Sequence, residues 1–370
     1  MTSREEALAA AMEEADPGAL AAGERLRRRF SPEEAAWALG QASLRRRAVA
    51  KFSRAGEMLF TRDGLEQASR EPVARWRAAR FAAAGVTEVW DLGCGIGADA
   101  MAFAAAGLKV VAIDADPETV ALASHNLSLV GGEARLGYAE EAKVPSGAAV
   151  FLDPARRTAR GRTWNVADFT PPWDFVLGQL ASERFACVKL GPGVPKQLLP
   201  AGLLAGWVSE HGDVVEATLW NRLGQGTEAV VLPHELARPP RLRELETRPL
   251  GRYLIEPDGA VIRAGLISEV APGQELWLLD PHIAYLSSDE PLESPLATCF
   301  EVQEVLDFDV RVLRRRLAEL GVGALEIKLR AVDVDPAELR RRLKLKGRAS
   351  ATLLLARTVR GTLAVLARRV

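Results

Sequence analysis

The sequence predicts an α/β fold with a mostly parallel sheet, preceded by a helical region and followed by an α+β module. Three observations support this prediction. An apolar strand leads through a glycine-rich turn into a helix of small residues over residues 89–106. Strands and helices then alternate as far as residue 190, as they do in a doubly wound sheet. A second β-α-β-α-β alternation covers residues 300–357.

Composition sets a few limits on the class of protein. The chain has 370 residues, which is enough for two or three domains. Lys and Arg together number 48 and Asp and Glu 49, so the overall charge does not indicate a nucleic-acid partner. The three cysteines lie far apart and the four histidines show no metal-ligand spacing, which predicts neither disulfides nor a metal site. No apolar stretch is long enough to span a membrane and the first residues are acidic, so we expect a cytoplasmic protein without a membrane partner.

The first 80 residues are predicted to be helical. Ser31 to Glu34 form a capping box with a proline at the first helical position, so a helix begins there. Basic runs at residues 25–29 and 45–54 are interpreted either as RNA contacts or as solvated helix faces. Residues 60–69 are predicted to form a polar bend before the helix that leads into the first strand.

The glycine turn follows a carboxylate, Asp91, at the end of the first strand. Gly93, Gly95 and Gly97 lack the Cβ atoms that would keep a ligand away from the main chain. Their spacing also fits a dinucleotide site, in which a pyrophosphate lies at the helix N-terminus. A fixed anion repels a pyrophosphate, however, and attracts the ammonium and sulfonium of S-adenosyl-L-methionine (SAM). The turn therefore predicts SAM as the cofactor, with an ordinary strand–turn–helix as the alternative.

The elements after the turn continue the same unit. Asp114 ends the second strand, where an acid can hold a ribose diol. Asp116 caps a helix that ends near residue 129, and a short third strand is predicted at residues 133–138. Glu140 comes next, and it either accepts the adenine amino group or lies in a solvated loop.

Four further strands complete the predicted sheet. They cover residues 148–153, 184–190, 213–220 and 228–233. The last two are joined by a short connection at residues 221–226. We predict a hairpin there, so that the sheet ends in an antiparallel pair.

This succession of elements resembles the class I SAM-dependent methyltransferases over about residues 60–235. The resemblance implies a Rossmann-like, seven-stranded sheet. It places Gly93, Gly95 and Gly97 along the methionine part of SAM. It places Asp91 near the amino group of SAM and Asp114 at its ribose. The bend at residues 60–69 is similar to the corresponding stretch of the trimethylguanosine-synthase type of RNA cap guanine-N2 methyltransferase. That similarity places Thr61, Gln67 and Ser69 next to the cofactor.

The candidate catalytic residue is Asp153, at the end of the fourth strand. Strands that end at Asp91 and Asp153 are expected to flank the point where the strand order reverses, and ligands bind there in open α/β sheets. A carboxylate facing the methyl group can orient the acceptor and take its proton. A turn that merely ends a strand is the alternative interpretation.

The residues Asp153-Pro154-Ala155-Arg156 bear on the substrate. They resemble the Asn/Asp-Pro-Pro-aromatic motif of methyltransferases that act on exocyclic amines, and the Asp-Pro-Pro-Arg of several RNA base methyltransferases. This sequence departs from both at Ala155, and Arg156 stands where the aromatic residue is expected. A guanidinium can stack on a base or pair with a phosphate. Lys189, near the end of the fifth strand, either faces the same pocket or extends to solvent.

Further cations and aromatic residues follow this motif. Arg157, Arg160 and Arg162 lie in one loop and are interpreted as RNA contacts, with ion pairs to surface acids as the alternative. Trp164 and Trp173 offer surfaces on which bases can stack.

The chain beyond residue 235 is predicted to be separate, because a proline-rich stretch at residues 236–240 marks a boundary. We expect a small ferredoxin-like α/β module at residues 236–299 and a THUMP-like domain at residues 300–370. They follow a helical region at residues 1–80 and a methyltransferase domain at residues 81–235. Residues 311–348 hold twelve Lys and Arg against five Asp and Glu, and the candidate RNA contacts there are Arg341, Lys344, Lys346 and Arg348.

A likeness to a known family is carried by residues 153–157, 188–193, 207–209 with 212–216, and 256–260. Nearly the whole chain resembles the bacterial class I methyltransferases that carry a C-terminal THUMP-like domain. THUMP domains generally accompany RNA-modifying enzymes, so the resemblance implies methylation of a base in structured RNA, either tRNA or rRNA. A small-molecule or protein methyltransferase, or a SAM-binding RNA factor without turnover, remains the alternative.

Overall fold

The computed structural model describes residues 3–156, 164–358 and 361–370. The chain divides into two compact units. The first contains residues 1–204 and 217–225, and the second contains residues 205–216 and 226–370.

Helices dominate the start of the first unit. They are α1 (Ser3–Glu13), α2 (Leu20–Arg27), α3 (Pro32–Ala48), α4 (Arg62–Gln67) and α5 (Glu71–Ala83). The predicted capping box is confirmed, because the Ser31 hydroxyl accepts from the amide of Glu34 and the Glu34 carboxylate accepts from the amide of Ser31. The prediction of a bend at residues 60–69 is wrong for residues 62–67, which are helical. The Thr61 hydroxyl accepts from the amide of Gly64 and so caps a short helix, α4.

Several arginines of the basic run at residues 45–54 bind within the protein. Arg45 donates to the carbonyl oxygens of Met58 and Glu57, and Arg54 donates to the carboxylate of Glu57. These bonds tie α3 and its following loop to the chain that leads into α4. They give this part of the run a structural role.

The sheet of the first unit surrounds the glycine turn. Its elements are β1 (Glu88–Leu92), α6 (Ala98–Ala105), β2 (Lys109–Asp114), α7 (Pro117–Ser128), β3 (Glu133–Leu136), β4 (Ala149–Leu152), β5 (Ala155–Arg156), β6 (Phe169–Thr170), α8 (Trp173–Ala181), β7 (Ala186–Leu190) and the second half of β9 (Asp213–Trp220). The first half of β9 and almost all of β8 (Leu204–Glu210) belong to the second unit. The strand order in this unit is β3-β2-β1-β4-β7-β9. All neighbours are parallel except β9, which runs antiparallel to β7. The strand order therefore reverses between β1 and β4, as predicted.

The predicted hairpin between residues 213–220 and 228–233 is wrong. In the second unit, β10 (Gly226–Val231) and β11 (His234–Ala237) take part in the strand order β11-β10-β8-β9, so β8 separates β10 from β9. The tight turn is instead at His211 and Gly212, which both have positive φ (52° and 83°) and join β8 to β9. Every residue of β8 is buried, so the strand lacks the apolar–polar alternation that would have revealed it. Six of the seven expected strands are present as β1–β4, β7 and β9, and the expected strand at residues 228–233 corresponds to β10.

A second sheet forms the rest of this unit. Its elements are β12 (Tyr253–Pro257), α9 (Gly259–Ala264), β13 (Trp277–Leu278), β14 (Leu286–Ser288), β15 (Ala297–Asp307), α10 (Val310–Glu319), β16 (Val322–Arg330), α11 (Pro336–Leu343), β17 (Ala349–Thr358) and β18 (Gly361–Arg369). The order is β13-β14-β12-β15-β18-β17-β16. The predicted β-α-β-α-β alternation is present as β15 to β17, and the strand that prediction missed, β18, lies between β15 and β17. Since β12 pairs with β15, the segments before and after residue 299 share one sheet, and the predicted domain boundaries stay a prediction.

The described part of the chain lacks two features, a membrane-spanning helix and a metal-binding group of side chains. None of its helices is both long and apolar enough to cross a bilayer. No group of three or more His, Cys, Asp or Glu side chains there is arranged to hold a metal ion.

Candidate active site

A cavity of about 450 Å³ lies in the first unit, at the carboxyl ends of β1, β2 and β4. Five carboxylates line it, those of Asp91, Asp99, Asp114, Glu140 and Asp153. Among the residues that the structure describes, no Lys, Arg or His lines it. Such a concentration of negative charge favours a ligand that carries positive charge. It disfavours a pyrophosphate, and hence the dinucleotide alternative.

Asp91 is the most unusual of these acids. Its residue is 1% exposed, and neither carboxylate oxygen has a hydrogen-bond partner among the described residues. Burial, and next the charge of Asp153, raise the pKa of the Asp91 carboxyl to about 8. A buried acid without partners is costly, and a cation bound in the cavity would relieve that cost.

The glycine turn brings the main chain up to the cavity. The amides of Gly93 and Cys94 both donate to the carbonyl oxygen of Ile113 at 2.9 Å, which ties the turn to the end of β2. Gly93 and Gly95 have positive φ (98° and 55°), and a Cβ on either would meet no protein atom within 4 Å. Both line the cavity, so the predicted main-chain surface is present.

Gly97 has a different place. It is the N-cap of α6, with φ of 81°, and it is absent from the cavity lining. A Cβ at this position would lie 3.5 Å from the Cβ of Ala123 in α7. The structure thus brings two of the three predicted glycines to the cavity and uses the third, in the left-handed region, as the N-cap of α6.

Asp114 binds the protein as well as lining the cavity. One carboxylate oxygen accepts from the amide of Gly95 at 2.9 Å, and the other accepts from the amide of Asp116 at 3.1 Å. The same side chain therefore holds the glycine turn and the start of α7.

Helix α4 forms one wall through Gly64, Gln67 and Ala68. A Cβ on Gly64 would collide with the side chain of Ile96 in the glycine turn, so only glycine permits this close approach. Thr61 does not line the cavity; it acts at one remove, as the cap of α4.

Glu140 lines the cavity from the short 3₁₀ helix at residues 139–141. Beside it lies Tyr138, an exposed aromatic residue that the sequence interpretation did not name. Thr170 and Pro171 were missed as well. No local pattern marks them, because the pairing of β5 with β6 brings Thr170 opposite Ala155. Asp99 was also missed, although an acid in the first helical turn after the glycines is a recognisable signal.

Asp153 and Lys189 form an ion pair at the carboxyl ends of β4 and β7. The Lys189 ammonium donates to one oxygen of Asp153 at 2.5 Å. The Lys189 side chain is 11% exposed, whereas that of Asp153 is 35% exposed and lines the cavity. Pro154 is buried behind Asp153 and absent from the lining. Nothing among the described residues donates to the other Asp153 oxygen.

Parts of the predicted substrate region fall outside the described residues. These parts are the side chain of Arg156 and all of Arg157, Arg160 and Arg162. The backbone of Arg156 pairs with Phe169 in β6. Around Phe169 the rings of Trp164 and Trp173 lie 6.2 Å and 5.2 Å away between centroids.

The second unit carries a group of exposed cations on α10, on α11 and on the turn that follows, which we call the basic surface. Its members are Arg311, Arg314, Arg315, Arg341, Arg342, Lys344, Lys346 and Arg348. None of them forms an ion pair with a described residue. Two neighbours differ, since Arg316 pairs with Glu304 and Arg340 donates to the carbonyl of Leu325. The four candidate RNA contacts of this segment are therefore exposed together.

Comparisons with known proteins agree with these observations. Residues 297–369 match the THUMP domain-like family, and residues 5–48 match a domain of unknown function. An uncharacterized SAM-dependent methyltransferase of two strains of Mycobacterium tuberculosis is 36% identical over 353 residues, which is 91% of this chain and 97% of that protein. A protein of Porphyromonas gingivalis W83 described as a methyltransferase has a similar crystal structure, with a TM-score of 0.78, 23% identity and coverage of 99% of this chain and 98% of that one. Because a relative this similar extends over nearly the whole sequence, the chain belongs to the SAM-dependent methyltransferases, with their class I α/β fold and SAM as cofactor.

Proposed function

We propose that this methyltransferase acts on a base in structured RNA, either tRNA or rRNA. The observation that carries RNA over other acceptors is that the segment matching the THUMP domain-like family also holds the basic surface. THUMP domains generally accompany RNA-modifying enzymes. Exposed Arg and Lys side chains without internal partners are suited to bind phosphates.

We assign the cofactor to the cavity lined by carboxylates. The unpartnered Asp91 fits the positive charge of SAM, which carries an ammonium and a sulfonium. Gly93 and Gly95 give access to the main chain, and Gln67 lines the wall that α4 forms. Gly97 and Thr61 support these residues as caps of α6 and α4. In this assignment Asp114 holds the ribose and Glu140 the adenine amino group.

We assign acceptor binding to the end of β4. SAM, when bound, supplies a methyl group on an electrophilic sulfonium. The ion pair with Lys189 fixes one oxygen of Asp153, and the other oxygen is left to accept a hydrogen bond from an acceptor N–H and to take its proton. Pro154 restricts the backbone after Asp153. Arg156 is proposed to stack on the target base or to pair with a phosphate.

The proposed RNA contacts extend beyond the active site. Arg341, Lys344, Lys346 and Arg348 are exposed in the second unit, together with the other cations of the basic surface. Arg157, Arg160 and Arg162 remain proposed contacts from the sequence alone.

The decisive experiment compares modified nucleosides of tRNA and rRNA between wild type and a strain without this gene. Mass spectrometry is expected to show one methylated nucleoside missing from the mutant, and the purified enzyme with SAM should restore it to mutant RNA. Unchanged nucleoside profiles, with methyl transfer to a protein or metabolite fraction of the mutant lysate, would favour the small-molecule or protein alternative. SAM binding without transfer to any fraction would favour an RNA factor without turnover.

The basic surface predicts a strong salt dependence of RNA binding. Replacing Arg341, Lys344, Lys346 and Arg348 by Gln is expected to reduce the slope of log K against log salt by roughly 3, because each lost phosphate contact contributes about 0.7 to 0.9. Fluorescence anisotropy with labelled tRNA between 50 mM and 200 mM salt, the range over which such contacts dominate, measures the slope. A matched control replaces four other exposed cations to which no RNA contact is assigned, Lys196, Arg238, Arg241 and Arg263. Equal slopes for both variants would contradict the assignment.

Asp114 is predicted to contribute directly to SAM affinity. Asp114→Ala removes a charged hydrogen-bonding group worth about 1.5–3 kcal/mol, so the Kd is expected to rise roughly tenfold to a hundredfold. Isothermal titration calorimetry measures this change. Asp114→Asn is the control, because it keeps an oxygen for the amide of Gly95. Unchanged binding in Asp114→Ala would remove Asp114 from the cofactor site.

A further inference from the structure

A fully buried arginine lies behind the wall of the cofactor cavity. Arg77, in α5, is 0% exposed, and its guanidinium pairs with the carboxylate of Asp99. The guanidinium carbon also lies 4.7 Å from the ring centroid of Phe151. Asp99 and Phe151 both line the cavity, while Arg77 does not. Because a buried charge is costly unless it is paired, the position of Arg77 calls for a physical reason.

Asp99 connects this arginine to the wall of the cavity. One of its carboxylate oxygens pairs with Arg77, and the other accepts from the hydroxyl of Ser69 at 2.8 Å. Ser69 is buried and directly follows Gln67 and Ala68, which line the cavity. A single carboxylate therefore links the buried guanidinium to the wall.

Arg77 also lies on the same side of the sheet as Asp91. Asp91 and Phe151 are partners in the register of β1 and β4, so their side chains share one face, and Arg77 stacks on Phe151. Two groups of negative charge, Asp153 and Asp114, act on Asp91 and raise its pKa. Two groups of positive charge oppose them, first Arg77 and then Lys189, which is itself paired with Asp153.

We propose that Arg77 is a positioning residue for SAM: through Asp99 and Ser69 it fixes the wall that contains Gln67, and its charge favours the ionised form of Asp91. This inference rests on the proposed role of Asp91 as the partner of the cofactor's positive charge. Arg77 itself touches neither cofactor nor acceptor. Its effect on Asp91 distinguishes it from a residue that merely fills the core.

The test follows the titration of Asp91 in the free protein. Carboxyl ¹³C NMR of protein labelled at aspartate gives the midpoint, and Asp91→Asn assigns the signal. In Arg77→Met the midpoint is expected to rise by about one pH unit, and SAM binding at pH 7 to weaken about tenfold, since fewer molecules carry ionised Asp91. Arg77→Lys keeps the charge and is expected to restore most of both values.

Asp99→Asn is expected to shift the titration midpoint of Asp91 in the opposite direction. It leaves the charge of Arg77 without its carboxylate partner, so the Asp91 midpoint is expected to fall. Loosening of the fold would hydrate Asp91 and lower the midpoint as well, so the rise in Arg77→Met is the shift that loosening does not explain. Ser69→Ala breaks only the link to the wall and is expected to weaken SAM binding by about threefold with the midpoint unchanged.

Shifts of opposite sign in Arg77→Met and Asp99→Asn support the proposal, and unmoved midpoints in both overturn it. If Arg77→Met does not fold, Arg77→Lys and Asp99→Asn decide, and an unmoved midpoint in Asp99→Asn overturns the proposal. The midpoints are measured without SAM. If the variants show these shifts and the wild-type protein binds no SAM, the proposed cofactor site is overturned, while the electrostatic link between Arg77 and Asp91 stands.

Discussion

Asp91→Asn is expected to lose most of its SAM affinity. The substitution keeps the size of the side chain and removes the negative charge, so a bound cation loses its buried partner. Truncating one member of such a pair costs about 2–5 kcal/mol, which corresponds to a rise in Kd of about thirtyfold to several thousandfold. Isothermal titration calorimetry at pH 8 measures the effect, because about half of Asp91 is ionised there in the free wild-type protein.

The same substitution is expected to stabilise the free protein. The pKa of Asp91 is about 8 in the folded state and near the ordinary value of 3.8 in the unfolded state. The unfolded state therefore releases this proton at lower pH, and the contribution of Asp91 to the free energy of unfolding falls as the pH rises from about 4 to about 8. Asp91→Asn removes that loss of stability. The free energy of unfolding of the variant is therefore expected to exceed that of wild type by an amount that grows from about pH 4 to about pH 8.

Thermal unfolding of the free protein at several pH values measures this advantage. A gain of about 1 kcal/mol corresponds to a Tm increase of roughly 2–4 °C. Glu141→Gln is the control, because it removes an exposed acid near the cavity that does not line it. An Asp91→Asn protein that binds SAM as tightly as wild type, or that is less stable at pH 8, would contradict the assignment.

Asp153→Asn is expected to abolish most methyl transfer while leaving SAM binding intact. Loss of a group that orients the acceptor and takes its proton lowers the rate by about 10²–10⁴. SAM affinity is expected to stay the same or to increase slightly, because Asp153 is the charge that raises the pKa of Asp91 most strongly. Transfer of labelled methyl groups to RNA from the deletion strain measures the rate.

Two controls distinguish the carboxylate from its surroundings. Lys189→Met leaves Asp153 in place without its ion-pair partner, and it is expected to retain more activity than Asp153→Asn. Asp174→Asn removes an exposed acid at the start of α8 and is expected to behave as wild type. Full activity of Asp153→Asn on the same RNA would show that the acceptor is deprotonated without this residue.

The cavity lined by carboxylates was largely predictable from the sequence, because its parts are local. A strand, a carboxylate and glycines with positive φ occupy consecutive positions, and Asp91, Gly93 and Gly95 all reach the cavity. The position of Gly97 was harder to predict, since a glycine that caps a helix and one that faces a ligand have the same spacing.

The features that were missed depend on contacts between distant segments. Thr170 reaches the cavity only because β6 pairs with β5, and the buried Arg77 looks like any other arginine of an alanine-rich helix. The error over the hairpin has the same origin. The residues of β8 show no alternation between buried and exposed positions, whereas β10 has clear boundaries. The sequence therefore predicts that β10, and not β8, pairs with β9.

The position of β18 in the second sheet has a consequence for biosynthesis. This strand is the last of its sheet to leave the ribosome, yet it lies between β15 and β17 and hydrogen-bonds to both. Until it emerges, β15 and β17 each present an open edge, and such edges are prone to pair with other nascent chains. The unit that carries the basic surface therefore completes its folding after translation of residue 369, whereas the glycine turn and its flanking strands β1 and β2 are synthesised more than 240 residues before β18 begins.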